Sequence, residues 1–231
     1  MANRKSRLAK ILADLEAFYG KVESSPAMDA YEMILYTNCG YPASDARCSK
    51  GFQALRDEVG LDPDSILAAG DAKLAAVVKP GGMMPELRAS RLKEIADLVK
   101  SEFGGNLSLA LRGPLKDARK ALKGFPTIGD PGADKILLFT KTLPIAAVPS
   151  NCPHVPARLG FGEEKKNWAA GYRSIQEALA AELPEDCDAR IRAYVLLKRH
   201  GQELCKQSRP LCERCPVSSD CVYFNSTDTR V

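Results

Sequence analysis

Cys205-Lys-Gln-Ser-Arg-Pro-Leu-Cys212-Glu-Arg-Cys215-Pro-Val-Ser-Ser-Asp-Cys221 puts four thiols into seventeen residues, separated by gaps of six, two and five. That spacing follows neither a helix face nor a strand, so the thiols call for a common partner. Thiolates are soft ligands, suited to zinc or to iron–sulfur clusters. Zinc ribbons and fingers divide their ligands into two close pairs separated by a longer stretch. Here a single Cys-x-x-Cys carries a lone cysteine on each side, a compact wrap that suits a cubane better than a tetrahedral ion. A pair of disulfides is the remaining alternative. The start of the chain, Met1-Ala-Asn-Arg-Lys, leads into an amphipathic stretch, not an apolar leader, so a cytoplasmic protein with reduced thiols is expected.

Outward from this loop the chain reads as one helix after another. Leu8, Ile11, Leu12, Leu15, Phe18 and Tyr19 recur at three- and four-residue steps up to Gly20, and Ser24-Ser25-Pro26 is a break. Residues 30–39 are apolar nearly all round, as in a helix buried on most of its surface, until Asn38-Cys39-Gly40-Tyr41-Pro42 interrupts them. Ser44-Asp45 caps a helix that carries Cys48, Phe52 and Leu55 inward, and Asp62-Pro63 and Asp71 open two short ones. Pro85 leads a long helix with Leu87, Leu92, Ile95, Leu98 and Val99 on one side. Farther on, Trp168, Tyr172, Ile175 and Leu179 share a face, and Ile191, Tyr194, Val195 and Leu196 follow Asp186. No stretch alternates as a strand would. The fold class is all-α.

At 231 residues, with 45% hydrophobic and 27% charged side chains, the chain can build one large or two small cored domains. A net charge of +4 is compatible with nucleic acid without requiring it. No apolar run reaches the length of a membrane span, so no membrane partner is expected. Cys39, Cys48, Cys152 and Cys187 lack motif spacing and are expected as buried free thiols.

Between a helix led by Pro114 and another bearing Ala133, Ile136, Leu137 and Phe139 stands the turn Gly124-Phe125-Pro126-Thr127-Ile128-Gly129-Asp130. Two helices joined by such a turn make a helix-hairpin-helix. The backbone amides at the second helix's start, aided by its dipole, favour a phosphate, which fixes register on a duplex without reading bases. Asp130 before Pro131 reads as a helix cap followed by a first-turn proline.

The cysteine spacing, its approach His200-Gly201-Gln202-Glu203-Leu204-Cys205 and the hairpin turn together resemble the endonuclease III family of DNA glycosylases, from about residue 4 to residue 224. That family's turn reads Leu-Pro-Gly-Val-Gly with an alanine four residues beyond. Phe125, Pro126, Ile128, Gly129 and Ala133 match, and Thr127 replaces the first glycine. The resemblance implies a [4Fe-4S] cluster on Cys205, Cys212, Cys215 and Cys221. It also implies two helical domains: residues 27–142, a helical barrel ending in the hairpin, and residues 4–26 with 143–224, built around the cluster loop. The family's active site lies in a cleft between them, where a flipped nucleotide enters. The implied partner is double-stranded DNA and the implied state a monomer. Contacts fall to Pro126, Thr127, Ile128, Gly129 and Gly132, with Pro42 beside them, and Lys206, Arg209 and Arg214 reach phosphate from the cluster loop.

Both positions that define the family's reaction depart from its pattern. The lyase lysine, two residues beyond the turn's last glycine, is Pro131, and the aspartate some eighteen residues later aligns with Pro149. Neither proline can act as acid, base or nucleophile. Lys135, one helical turn beyond Pro131, is the best substitute nucleophile, with a solvated surface lysine as the plainer reading. Asp130 is the candidate carboxylate; Asp134, Asn151 and His154 lie nearby in sequence, and Pro149, Pro153 and Pro156 forbid a regular helix in that segment. The expectation is a base-excision glycosylase, with or without AP lyase activity. The alternative is an inactive or divergent DNA-structure-binding protein of the same fold.

Overall fold

The computed structural model describes residues 6–22 and 27–227; the basic start, Met1 to Lys5, and the break at Ser24-Ser25-Pro26 lie outside them. The described residues are helical with no strand, as the sequence pattern requires. Internal contacts divide the chain into two units, Pro26–Thr142 and Met1–Ser25 together with Leu143–Val231.

Helix α1 (Arg7–Tyr19) begins where the Ser6 hydroxyl accepts the Ala9 amide and ends at Gly20, whose φ of +86° stops the helix without a Cβ penalty. The Pro26–Thr142 unit holds α2 (Ala30–Gly40), α3 (Asp45–Glu58), α4 (Pro63–Ala68), α5 (Asp71–Val78), α6 (Pro85–Phe103), α7 (Leu107–Ala110), α8 (Leu115–Lys123) and α9 (Asp130–Phe139). A capping box of Asp29 and Glu32 starts α2, which then packs against α3, α6, α7 and α9. Its all-round apolar pattern follows from that central place. A 3-10 turn, Lys79–Gly81, seats Gly81 so close to α2 that a Cβ there would stand 1.7 Å from the Cys39 carbonyl oxygen. One expectation is corrected here. Leu87 is exposed, because α6 has just begun and its first turn stands clear of the packing. The short α7 has no periodic run and escapes a pattern search.

In the other unit α1 packs with α10 (His154–Arg158), α11 (Trp168–Glu182), α12 (Cys187–Glu203) and α13 (Val222–Thr227) around Leu8, Ile11, Leu15, Val155, Ile175 and Leu197. Helix α10 corrects the expectation that the prolines of this segment exclude helix. Pro153 is its cap and Pro156 lies in its first turn, where an amide would have no partner within the helix. Trp168 is half exposed and stacks on Tyr172 at 5.4 Å instead of entering the core with it. Arg190 is buried and donates from Nε to the Pro184 carbonyl at 2.8 Å and from its guanidinium to those of Leu183 and Pro144, closing the start of α12 onto the extended chain after Thr142.

Candidate functional site

In the Pro26–Thr142 unit the turn between α8 and α9 is anchored by Phe125 and Ile128, both buried. Phe125 stacks on Phe103 at 5.7 Å. Thr127 takes a left-handed conformation, φ +65°, the position at which the endonuclease III pattern has glycine. A β-branched residue is strained there. Asn38 on α2 provides the compensation. Its amide donates to the Pro126 carbonyl and to the Ile34 carbonyl, each at 3.0 Å, and its side-chain oxygen accepts from the Thr127 hydroxyl at 3.1 Å. The buried Arg88 in turn donates to the carbonyls of Asn38, Tyr41 and Met83. Exposed Pro42 and the hairpin residues Pro126, Thr127 and Ile128 are therefore held to the same end of α2. Sequence reasoning missed Asn38 and Arg88. The available signal was a buried-type helix carrying one amide side chain.

The cap of α9 is Gly129, not Asp130 as expected: Asp130 is the first helical residue, makes no cap bond, and pairs with Lys123 at 2.7 Å across the hairpin. Glycine reaches the extended cap conformation as readily, and its carbonyl takes the Ala133 amide at 2.9 Å. Pro131 lies in the first turn and leaves the amides of Asp130 and Gly132 on either side of it. Gly132 packs on Ile128: a Cβ there would meet that side chain at 3.4 Å. Asp134 is fully buried and takes a bidentate pair from Arg119 of α8 at 2.6 and 2.9 Å, which clamps the two hairpin helices together. Lys135 is half-buried, with its ammonium 5.7 Å from the Phe139 ring centre. Asp130 and Lys135 thus share one helix, and Asp134 serves structure.

In the other unit, Cys205, Cys212, Cys215 and Cys221 all line one cavity, with Leu204, Tyr223 and Phe224 as apolar wall. The open space is about 360 Å³, counted out to solvent. Among the described residues no three His, Cys, Asp or Glu gather closely enough to hold one metal ion. The four cysteines that line this cavity are the residues that could hold a metal group there. Burial pushes the thiols of Cys205 and Cys212 up and that of Cys215 up to about 11, so a bound metal group must displace their protons.

Charged and polar groups surround these thiols. Arg158 on α10 donates to the Cys205 sulfur at 3.6 Å and to the carbonyls of Lys206 and Gln207, while lying over the Tyr223 ring. His200 on α12 stands with Nε2 3.6 Å from the Cys215 sulfur and Nδ1 3.0 Å from the Tyr19 hydroxyl. Burial pushes His200 down to about 4, which leaves it neutral. His154 is buried, not a loop residue as expected, and its Nε2 is 2.7 Å from the Cys205 carbonyl. Of the scattered cysteines, Cys39, Cys48 and Cys152 are buried and Cys187 is half-buried.

No family model matches the chain. Over 214 residues it is 25% identical to endonuclease III of Sulfolobus acidocaldarius, covering 91% of this chain and 90% of that one. A solved thermostable thymine-DNA glycosylase superposes with a TM-score of 0.75 at 19% identity, over 98% of this chain and 100% of that one. An endonuclease III trapped in a covalent complex with DNA superposes with a TM-score of 0.73 at 17% identity, over 96% and 97%. The described residues share their all-helical fold.

Proposed function

We propose that the protein is a DNA N-glycosylase of base-excision repair, acting on a damaged or mismatched base flipped out of duplex DNA. The observation that carries this is the hairpin from α8 to α9, with its turn locked on Asn38, in a chain similar over nine-tenths of its length to an endonuclease III. The hairpin and the Pro42 turn would hold phosphates and the duplex backbone, and the bound base would be read elsewhere.

In this reading Cys205, Cys212, Cys215 and Cys221 hold a [4Fe-4S] cluster. It supplies rigidity to a loop whose Lys206, Arg209 and Arg214 face phosphate, and takes no part in bond cleavage. Lys135 is the proposed nucleophile. It lies one turn beyond Pro131 on a continuous helix and is half-buried. Asp130, at the start of the same helix, is the proposed carboxylate, held by Lys123.

A second reading, binding without turnover, is favoured by Pro131 and Pro149 standing at both positions where the family's reaction is carried. Borohydride trapping on abasic, uracil- and thymine-mismatch duplexes, run with a base-release assay, separates the two. A covalent adduct lost in Lys135→Ala supports the lysine. Base release with no adduct supports a glycosylase without a lysine nucleophile. Tight binding with neither supports the second reading.

A further inference from the structure

The thiol cavity contains two side chains whose placement a merely structural loop does not require. Arg158 could satisfy its guanidinium with the Lys206 and Gln207 carbonyls alone, at 2.9 and 2.6 Å, yet it also directs Nη1 at the Cys205 sulfur. His200 is buried between Tyr19 and Cys215, whose hydroxyl and sulfur stand at its two ring nitrogens. A deprotonated cysteine is an acceptor only. Against it Nε2 must carry the imidazole proton, and Nδ1 then accepts from the Tyr19 hydroxyl. Tyr19 is itself fixed, with Arg199 over its ring at 4.9 Å and donating to its carbonyl at 2.7 Å. The chain Tyr19 → His200 → Cys215 therefore has a defined direction, and it ends on sulfur.

We infer that Arg158 and the Tyr19–His200 pair are outer hydrogen-bond donors to the cluster ligands Cys205 and Cys215, placed to raise the cluster's reduction potential. This rests on reading the four cysteines as the ligands of an iron–sulfur cluster. A donor at a ligand sulfur draws electron density from it and stabilises the state that carries one more electron, whereas solvent or an apolar wall would not do so in a fixed direction. The two donors act on different sulfurs from different helices, α10 and α12. Arg158 adds a full positive charge, so its effect is the larger. Both residues are positioning residues with no part in base removal.

The test uses the full chain purified without oxygen, with iron and acid-labile sulfide counted and the one-electron potential of the cluster read against an electrode. Arg158→Met keeps the bulk over Tyr223 and removes the donors. Tyr19→Phe removes a single hydroxyl and frees His200 to turn. The expected result is four irons per chain in all three proteins, with the potential lowered in Tyr19→Phe and lowered further in Arg158→Met. Full iron with an unchanged or raised potential in either variant overturns the inference while leaving the cluster standing. Loss of iron from either variant also overturns it, since the residue would then be part of the wall that retains the cluster. A parent protein without iron sinks the cluster itself, and this inference with it.

Discussion

Thr127 holds a backbone conformation that its branched side chain resists, at a cost of about 1–2 kcal/mol, and the hydrogen bonds of Asn38 are what offset it. Asn38→Ala removes three hydrogen bonds at a buried site and leaves the Pro126 carbonyl without this donor. We expect a loss of about 1–3 kcal/mol in urea unfolding, with an unchanged slope, and weaker binding to any duplex regardless of sequence. Thr127→Gly is the informative comparison. It relieves the strain while losing one bond, so its stability should stay within about 1 kcal/mol of the parent. A large loss in Thr127→Gly would mean that the hydroxyl matters more than the strained backbone. The turn's position was legible from Gly124, Pro126 and Gly129. The clamp was not, because Asn38 lies nearly ninety residues upstream and nothing local ties it to the turn.

At the scale of elements, close approach decides which substitutions the helices tolerate. Gly81 lets the 3-10 turn reach the Cys39 carbonyl; an added Cβ would stand 1.7 Å from that oxygen, and the obstruction is backbone, which cannot swing aside. Gly81→Ala should therefore destabilise by more than about 3 kcal/mol or prevent folding. Gly113→Ala, with nothing within 4 Å of the new methyl, should change little, and thermal denaturation of both checks the pair. The junction of α1 with α12 makes a different kind of prediction. Arg192 hydrogen-bonds Glu16 at 2.8 Å and holds its carboxyl below the ordinary value of 4.5. A depressed folded pKa stabilises the fold above the unfolded pKa, and that contribution fades as pH falls below about 4.5 and through the folded value. Both side chains are partly exposed, so the contribution is small. Glu16→Gln should flatten this part of the acid arm of a stability–pH curve and leave the curve above pH 6 parallel to the parent's.

The whole molecule is two units of different construction. Pro26–Thr142 is one continuous stretch, whereas its counterpart is assembled from both chain ends. Expressed alone, residues 26–142 should fold to a helical, cooperatively melting protein, because α2 and the hydrogen bonds around Asn38 and Arg88 lie wholly within it. An excised stretch without cooperative melting would show that this unit depends on the rest of the chain. If the four cysteines hold the proposed cluster, stripping its iron from the intact protein by oxidation and chelation should lower the first thermal transition and loosen the chain around Cys205 to Cys221, as seen by proteolysis, while α2 to α9 stay protected.

The helices, their approximate ends and the two unusual stretches were written in the sequence, because helix periodicity, caps and cysteine spacing are local signals read over a few residues. Pro131 and Pro149 were equally plain as residues. Tertiary structure alone decided which polar groups those helices bring together: Asn38 with Thr127, Arg119 with Asp134, Arg158 with Cys205, and Tyr19 with His200 and Cys215. The physical reason is range. A hydrogen bond needs its two groups about 3 Å apart, and partners from fifteen to nearly two hundred residues distant in the chain come that close only when the helices between them have packed.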